Sequence, residues 1–169
     1  MTTKPDILDG ALEVLRAGDT LTLDAVAKRV GITKPGVVHH FRTKEALAVA
    51  VVEHLLDAWE AELVRRAGPD ATATDLLRAY VEHTLLGSMD PADLALMAEP
   101  KLQEKLSARW ARRMNAWFGT ITDPRLLAVR LIADGAWVDR CLGVLDADET
   151  RRGAVVRVAV QLMEEARTQ

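Results

Sequence analysis

The 169-residue sequence predicts an all-α protein. Three observations lead there. Apolar residues recur at three- and four-residue spacing along nearly the whole chain, and no stretch alternates as a half-buried strand does. Thr or Asp stands before most of the periodic runs and Gly after them, the signature of capped and stopped helices. An apolar fraction of 49% with mean hydropathy near zero indicates a folded, soluble chain, and no run approaches the ~18 apolar residues of a membrane span. About nine helices result, without an internal repeat.

Taken in order, the first helix spans about Lys4 to Ala17, with Ile7, Leu8, Ala11, Leu12 and Leu15 on one face and Gly18 as its stop. Thr22 caps the second helix, which begins at Leu23, and Leu21 and Val26 flank the cap as a hydrophobic staple. It carries Val26, Ala27 and Val30 on one side and Lys28 and Arg29 on another. Gly31, tolerant of the left-handed conformation, ends it. Thr33 caps a short third helix that ends near His39 or His40; Ile32 and Val37 repeat the staple, and Pro35 sits in the first turn, where its missing N–H costs nothing. Phe41 follows as a large apolar anchor. Thr43 then caps a long fourth helix from Lys44 to Gly68-Pro69, with Ala48, Val51, Val52, Leu55, Trp59 and Leu63 on one face.

A fifth helix runs from Thr74 to Leu86, with Leu77, Tyr80, Val81, Thr84 and Leu85 inward and Gly87 as its stop. Asp90-Pro91 starts a short sixth helix through Leu94 and Met97, which Pro100 interrupts, and a seventh carries Leu102, Leu106, Trp110, Met114 and Trp117 to Gly119. Asp123-Pro124 starts an eighth that reaches Leu145, and Asp148 or its neighbours start a ninth. These last two carry more apolar surface than one core-facing stripe requires: Leu126, Leu127, Leu131, Val138 and Leu142 on one, and Val155, Val156, Val158, Val160, Leu162 and Met163 on the other. A second copy of the chain is the simplest cover, with two helices of each protomer joined in a four-helix bundle. Leu127, Leu131, Val138, Val155, Val158 and Leu162 are the candidate interface residues; a helix pair fully buried within a monomer is the alternative.

The succession of helix, glycine turn and short second helix from Thr22 to His40 is that of a helix-turn-helix, which lays its second helix in the major groove of DNA. Charge agrees. Between Lys28 and Lys44 stand Lys28, Arg29, Lys34, Arg42 and Lys44 with no acidic residue, in a chain of net charge −3. An ordinary helical hairpin on a solvated surface is the plainer reading of the same pattern.

The run LTLDAVAKRVGITKPGVVHHFRTKEAL narrows the choice. Through Thr22, Val26-Ala27, Gly31-Ile32-Thr33, Lys34-Pro35-Gly36, His40-Phe41 and Lys44-Glu45-Ala46-Leu47 it closely resembles the DNA-binding domain of the TetR family of bacterial transcriptional regulators. The resemblance covers about the first third of the chain. It implies contact with a double-stranded operator through Thr22, Thr33, Lys34, Pro35, Gly36, Val37, His39, His40 and Lys44, with Thr33, Gly36, Val37 and His39 facing the groove and both lysines beside the phosphates. One position departs: Val38 stands where the family usually has a tyrosine, so a hydroxyl that often reaches a phosphate is missing, a role left open to His39.

No Walker loop, dinucleotide fingerprint, His-x-x-x-His pair or cysteine pair occurs, so no metal or cofactor is expected and the chain is read as a non-enzyme. His54 and His83 lie on helices expected to be neighbours, with Glu53 close by, and such a group could be imagined as a metal or acid–base site; half-exposed histidines on packed helices are far commoner. Cys141 is the sole cysteine. It permits no internal disulfide, fits a reducing compartment and is expected as a small buried apolar residue. The first helix is amphipathic and charged, so no signal peptide is expected ahead of Lys4, and the expected location is the cytoplasm.

Trp59, Met89, Met97, Trp110, Met114, Trp117 and Trp137 concentrate aromatics and methionines in the middle and later helices. Such residues line small-molecule cavities, and at helical spacing they equally build plain core. The family resemblance implies a pocket behind the DNA-binding domain, for which Val52, Leu55, Trp59, Met97, Trp110, Met114, Trp117 and Trp137 are the candidates. The expected organisation is a helix-turn-helix domain over residues 1–47 and an effector-binding and dimerisation domain over 48–169. The expected protein is a homodimeric repressor that binds an inverted-repeat operator, partners itself and is released by a small, largely apolar effector, with no membrane contact. A helical enzyme or scavenging protein that keeps an unused helix-turn-helix is the alternative.

Overall fold

Threonine and aspartate side chains open most of the helices. In the computed structural model, which describes residues 2–96 and 102–168, Thr3 caps α1 (Lys4–Arg16) in a reciprocal box with Asp6. Thr22 caps α2 (Leu23–Val30), Thr33 caps α3 (Lys34–His40), and Thr43 Oγ1 accepts from the Ala46 amide at the start of α4 (Lys44–Ala67). Thr72 forms a second box with Asp75 and starts α5 at Ala73, one residue before the sequence placed it; α5 ends at Leu86. α6 is a single turn, Ala92–Ala95, and Met97 and Pro100, on which a longer sixth helix depends, lie outside the described residues. α7 spans Gln103–Phe118, α8 Pro124–Leu142 and α9 Glu149–Arg167. Among the described residues there are nine helices and no strand.

The eighth helix stops three residues short of the expected Leu145. Gly143 takes φ +65°, a left-handed conformation that side-chain-bearing residues avoid, and its amide closes the helix on Asp139 O. Cys141 is half-buried rather than buried, because it stands in the last turn before that exposed stop.

Packing divides the chain into two compact units, Met1–Ala58 with Asp90–Ala111, and Trp59–Met89 with Arg112–Gln169. In the first, α1 lies against α2 and α6, and α2 against α3. Ile7, Ala11, Val14, Val26, Val37, Leu47 and Val51 form its core. Gly10 sets the approach of α1 to α2: a Cβ placed there would stand 2.3 Å from Val30 Cγ2, so only a residue without a side chain fits this crossing as it stands. Side-chain ties join α4 to its neighbours within the unit, His54 to Asp9 at 2.8 Å and Glu53 to Arg109 at 2.7 Å.

In the second unit α5 packs on α8 and α9, and α8 on α9. Leu63, Leu77, Tyr80, Met114, Val129, Ala133 and Ala159 are its core. The one phenol of the chain needs a partner where it is buried, and Tyr80 Oη donates to Asp134 Oδ1 at 2.7 Å while Arg130 Nε donates to the same oxygen at 2.8 Å. Burial, with the Asp134 charge adding, holds the Tyr80 hydroxyl protonated well above its usual range.

Candidate nucleic-acid interface

The α2–α3 turn is assembled from local hydrogen bonds. Thr22 Oγ1 accepts from the Ala25 amide at 3.0 Å, and Thr33 Oγ1 from the Gly36 amide at 3.3 Å. Between them Gly31 adopts φ +77° and sends its amide back to Ala27 O, which also receives the Ile32 amide at 3.0 Å. That double closure is the helix stop the glycine allows. α3 is then anchored by Val37, which is 0% exposed. The expectation that Val37 faces a groove is therefore corrected: as the inner half of the Ile32–Val37 staple it points to the core of the first unit. Thr33, Lys34, Pro35 and His39 are exposed on α3 and its cap, Gly36, Val38 and His40 are half-buried, and so are Thr22 and Lys44.

Lys28, Arg29 and Arg42 are exposed around this helix pair. The positive charge is not wholly uncompensated, however: Lys34 Nζ meets Asp24 Oδ2 at 2.8 Å. Asp24 lies on the first turn of α2, just outside the all-basic stretch, and so escaped the sequence reading. Both side chains are more than half exposed, which makes the pair weak and exchangeable. The His39 and His40 rings stand edge to face with centroids 5.2 Å apart. Phe41, buried behind α3, has Lys4 Nζ 5.6 Å from its ring centroid, so the start of α1 closes over the anchor.

The pocket candidates fall into two groups. Val52, Leu55 and Trp110 are buried within the first unit; Trp59, Met114, Trp117 and Trp137 are buried within the second; Met97 lies outside the described residues. In the second unit Trp59 collects three rings, with centroid distances of 5.6 Å to Tyr80, 4.9 Å to His83 and 6.0 Å to Trp137. Trp117 Nε1 is buried without an acceptor among the described residues. His54 and Glu53 are engaged by Asp9 and Arg109 in the first unit, and His83 stands 3.8 Å from Glu62 in the second. Burial, reinforced by Arg66, lowers the His83 pKa to about 4, while hydrogen bonds from Arg65 and Arg66 hold Glu62 at about 2 against its partial burial. Among the described residues no three His, Cys, Asp or Glu side chains gather as a metal site.

Of the interface candidates, Leu127, Leu131, Val138, Val155 and Val158 are exposed, Leu131 at 62%, and Leu162 is half-buried. Leu142, Val144 and Leu145 extend the exposed apolar surface toward the α8–α9 turn. A cavity of about 410 Å³ opens beside that turn, lined by Leu85 and Val155 and by residues the sequence pattern does not single out, among them Ile132, Arg140, Arg151 and Arg152. The available signal was two consecutive arginines in the first turn of a helix.

A profile described as "Bacterial regulatory proteins, tetR family" matches residues 7–51, and one described as "Tetracyclin repressor-like, C-terminal domain" matches residues 74–164, over half of the chain. The chain belongs to the TetR family. This TetR-family protein is thus a transcriptional regulator with a DNA-binding helix-turn-helix. It is similar in fold to the multidrug binding protein EbrR complexed with imidazole, at 21% identity and TM-score 0.66, covering 96% of this chain and 95% of the other. A TetR-family member from Streptomyces coelicolor A3 matches at 22% identity and TM-score 0.66 over 94% and 96% of the two chains. A variant TetR from Acinetobacter baumannii AYE in complex with minocycline matches at 19% identity and TM-score 0.53, over 98% and 96%. No functionally curated protein matches the sequence significantly.

Proposed function

We propose that this TetR-family regulator is a homodimeric, one-component repressor that binds an inverted-repeat operator and leaves it when a small, largely apolar effector binds. The observation that carries the reading is the capped α2–α3 pair, which leaves Thr33, Lys34 and His39 exposed on a helix anchored from behind by Val37 and Phe41. Reading is assigned to residues 1–47, and effector binding with dimerisation to residues 48–169. The exposed apolar side chains of α8 and α9 support two-fold assembly, since contiguous apolar surface left in water marks an interaction site. A two-fold dimer reads two half-sites related by its own symmetry.

The rings around Trp59 and the acceptor-less Trp117 Nε1 support an effector that is mainly apolar and carries a hydrogen-bond acceptor. The imidazole and minocycline bound by two structural relatives support a small organic molecule in that role. α4 carries the half-buried Lys44 in its first turn and Trp59 fifteen residues later, so one helix bears residues of both proposed functions. A ligand that prefers the non-reading arrangement by ~1 to 3 kcal/mol would change DNA affinity about 5- to 150-fold. The protein acts without catalysis, in the cytoplasm with the DNA it reads; no described helix is long and apolar enough to cross a membrane.

Selection from a random duplex pool tests this directly. The expected product is an inverted repeat, bound with an affinity that falls steeply with salt as phosphate-bound counterions are released. Full affinity for a single asymmetric half-site would overturn the two-fold reading. A salt-insensitive or absent interaction would overturn operator binding and favour the scavenging alternative.

A further inference from the structure

The cavity beside the α8–α9 turn lies wholly within the second unit, between the end of α5, the last turns of α8, the turn itself and the first turns of α9. Its volume of about 410 Å³ is in the range of small-molecule sites. Leu85, Ile132, Ala136 and Val155 line it together with three arginines, Arg140, Arg151 and Arg152, and one acidic residue, Asp139. Asp139 Oδ1 is already engaged by the Leu145 amide at 2.8 Å.

None of the three arginines pairs with a carboxylate among the described residues. Their described partners are backbone carbonyls: Arg140 donates to Thr84 O at 2.9 Å, Arg151 to Asp146 O at 3.3 Å and Arg152 to Ala147 O. Arg152 Nε is buried with no acceptor among the described residues. Arg151 and Arg152 also sit in the first turn of the 19-residue α9, where the helix dipole disfavours cations. Burial and the neighbouring Arg152 push the Arg140 guanidinium below its usual range, a sign that positive charge here is crowded. An anion would relieve each of these costs at once, and a planar carboxylate matches the fork of a guanidinium.

We infer that this cavity binds a small organic acid, with its carboxylate held by Arg152 and Arg140 and its hydrocarbon body against Leu85, Ile132 and Val155. The inference rests on the effector-responsive reading only for its regulatory meaning, since it names the head group an effector at this second place would carry; binding itself does not depend on that reading.

Calorimetric titration of the full-length protein with octanoate, octanol and octylammonium holds the tail constant and varies the head. Octanoate should bind about 10- to 100-fold more tightly than octanol, the range expected for hydrogen bonds to a charged group, and octylammonium should bind weakest. Arg152→Gln should remove that preference. Gly135→Leu provides an independent check: Gly135 lines the cavity on an exposed helical position where an added Cβ meets nothing within 4 Å, so the larger side chain should fill the space and abolish octanoate binding with helicity retained. No octanoate binding at millimolar concentration, equal binding of octanoate and octanol, or octanoate binding unchanged in both variants would each overturn the inference. If the parent protein fails to bind octanoate and Arg152→Gln lowers its mass, the arginines belong to the interface between copies. Duplex binding by the same preparation without ligand reports separately on the repressor reading.

Discussion

The helix-turn-helix and the α8–α9 pair solve the same problem, holding two helices together, by opposite means. α2 and α3 are short, eight and seven residues, and their ends are fixed by signals that lie within five residues along the chain: a threonine cap at each start, a left-handed glycine between them and a staple at each cap. α8 and α9 are 19 residues each, and several of their large apolar side chains face away from their own unit. The first pair is complete in one chain. The second carries an apolar surface that one chain leaves in water, so its stability is tied to what covers it.

The largest effect should come from placing a charge on that surface. Val158 is 54% exposed on α9, so Val158→Glu is tolerated by an isolated chain and intolerable at a dry interface, where an unpaired carboxylate costs several kcal/mol in order of magnitude. Light scattering should give the monomer mass with helicity unchanged. A mass unchanged from the parent's would place any interface elsewhere and remove the contrast between the two helix pairs.

Next comes acid. His83 has its pKa lowered to about 4 from an unfolded value of 6.5, so between these values the unfolded chain binds a proton that the folded chain refuses. Stability therefore falls as pH drops from about 6.5 to 4, by on the order of 2 kcal/mol once screening at the partly wetted ring edge is allowed for. Glu62 has its pKa lowered to about 2, so its own loss of stability belongs to a more acid range, between 4.5 and 2. Melting temperatures of parent and His83→Gln should converge toward pH 4.5 and separate toward neutrality. Parallel curves across pH 4.5–6.5 would show that His83 is not buried as a neutral ring.

Legibility followed the same divide. Caps, stops and staples are written in neighbouring residues, so the bounds of α2, α3 and the start of α4 could be read directly, as could the exposure of Lys34 and His39. Val37 was read on the wrong side of α3, because seven residues give too few turns to fix a face without knowing what lies behind it. Gly10 was invisible: nothing near it in sequence announces that Val30, twenty residues on, passes within reach of its missing side chain. Of the three arginines of the α8–α9 cavity, Arg140 is separated along the chain from the consecutive Arg151 and Arg152, and they become a group only when the turn at Gly143 folds α9 back beside α8. The exposed leucines and valines of α8 and α9 were legible as excess, whereas what covers them is not written in the residues beside them.

A smaller effect is expected at the turn. Gly31→Ala keeps every contact but forces a side chain into φ +77°, at about 1 kcal/mol. Because the strain is local, α2 and α3 should lose hydrogen-exchange protection while the amides of α5 and α8 keep theirs. Equal loss in both units would mean that the reading helices are not an independent cooperative piece.

The smallest effect concerns the exposed pair of Lys34 with Asp24, which decides how ready the reading helix is for DNA. Lys34 Nζ lies 2.8 Å from the carboxylate, and to reach a phosphate it must give that contact up. An exposed pair is worth ~0 to 1 kcal/mol, so releasing it in advance should tighten DNA binding by no more than about fivefold. Asp24→Asn makes the release. Lys34→Ala, in contrast, should weaken binding to every sequence and flatten the salt dependence by roughly one unit, as expected for a phosphate contact. The two changes combined separate local pairing from general charge. If Asp24 acts through Lys34, its replacement gains affinity in the parent and almost none in the Lys34→Ala background. An equal gain in both backgrounds would show that Asp24 acts only through its charge near the duplex, and a change in sequence preference on Lys34→Ala would move that lysine from the backbone to the bases.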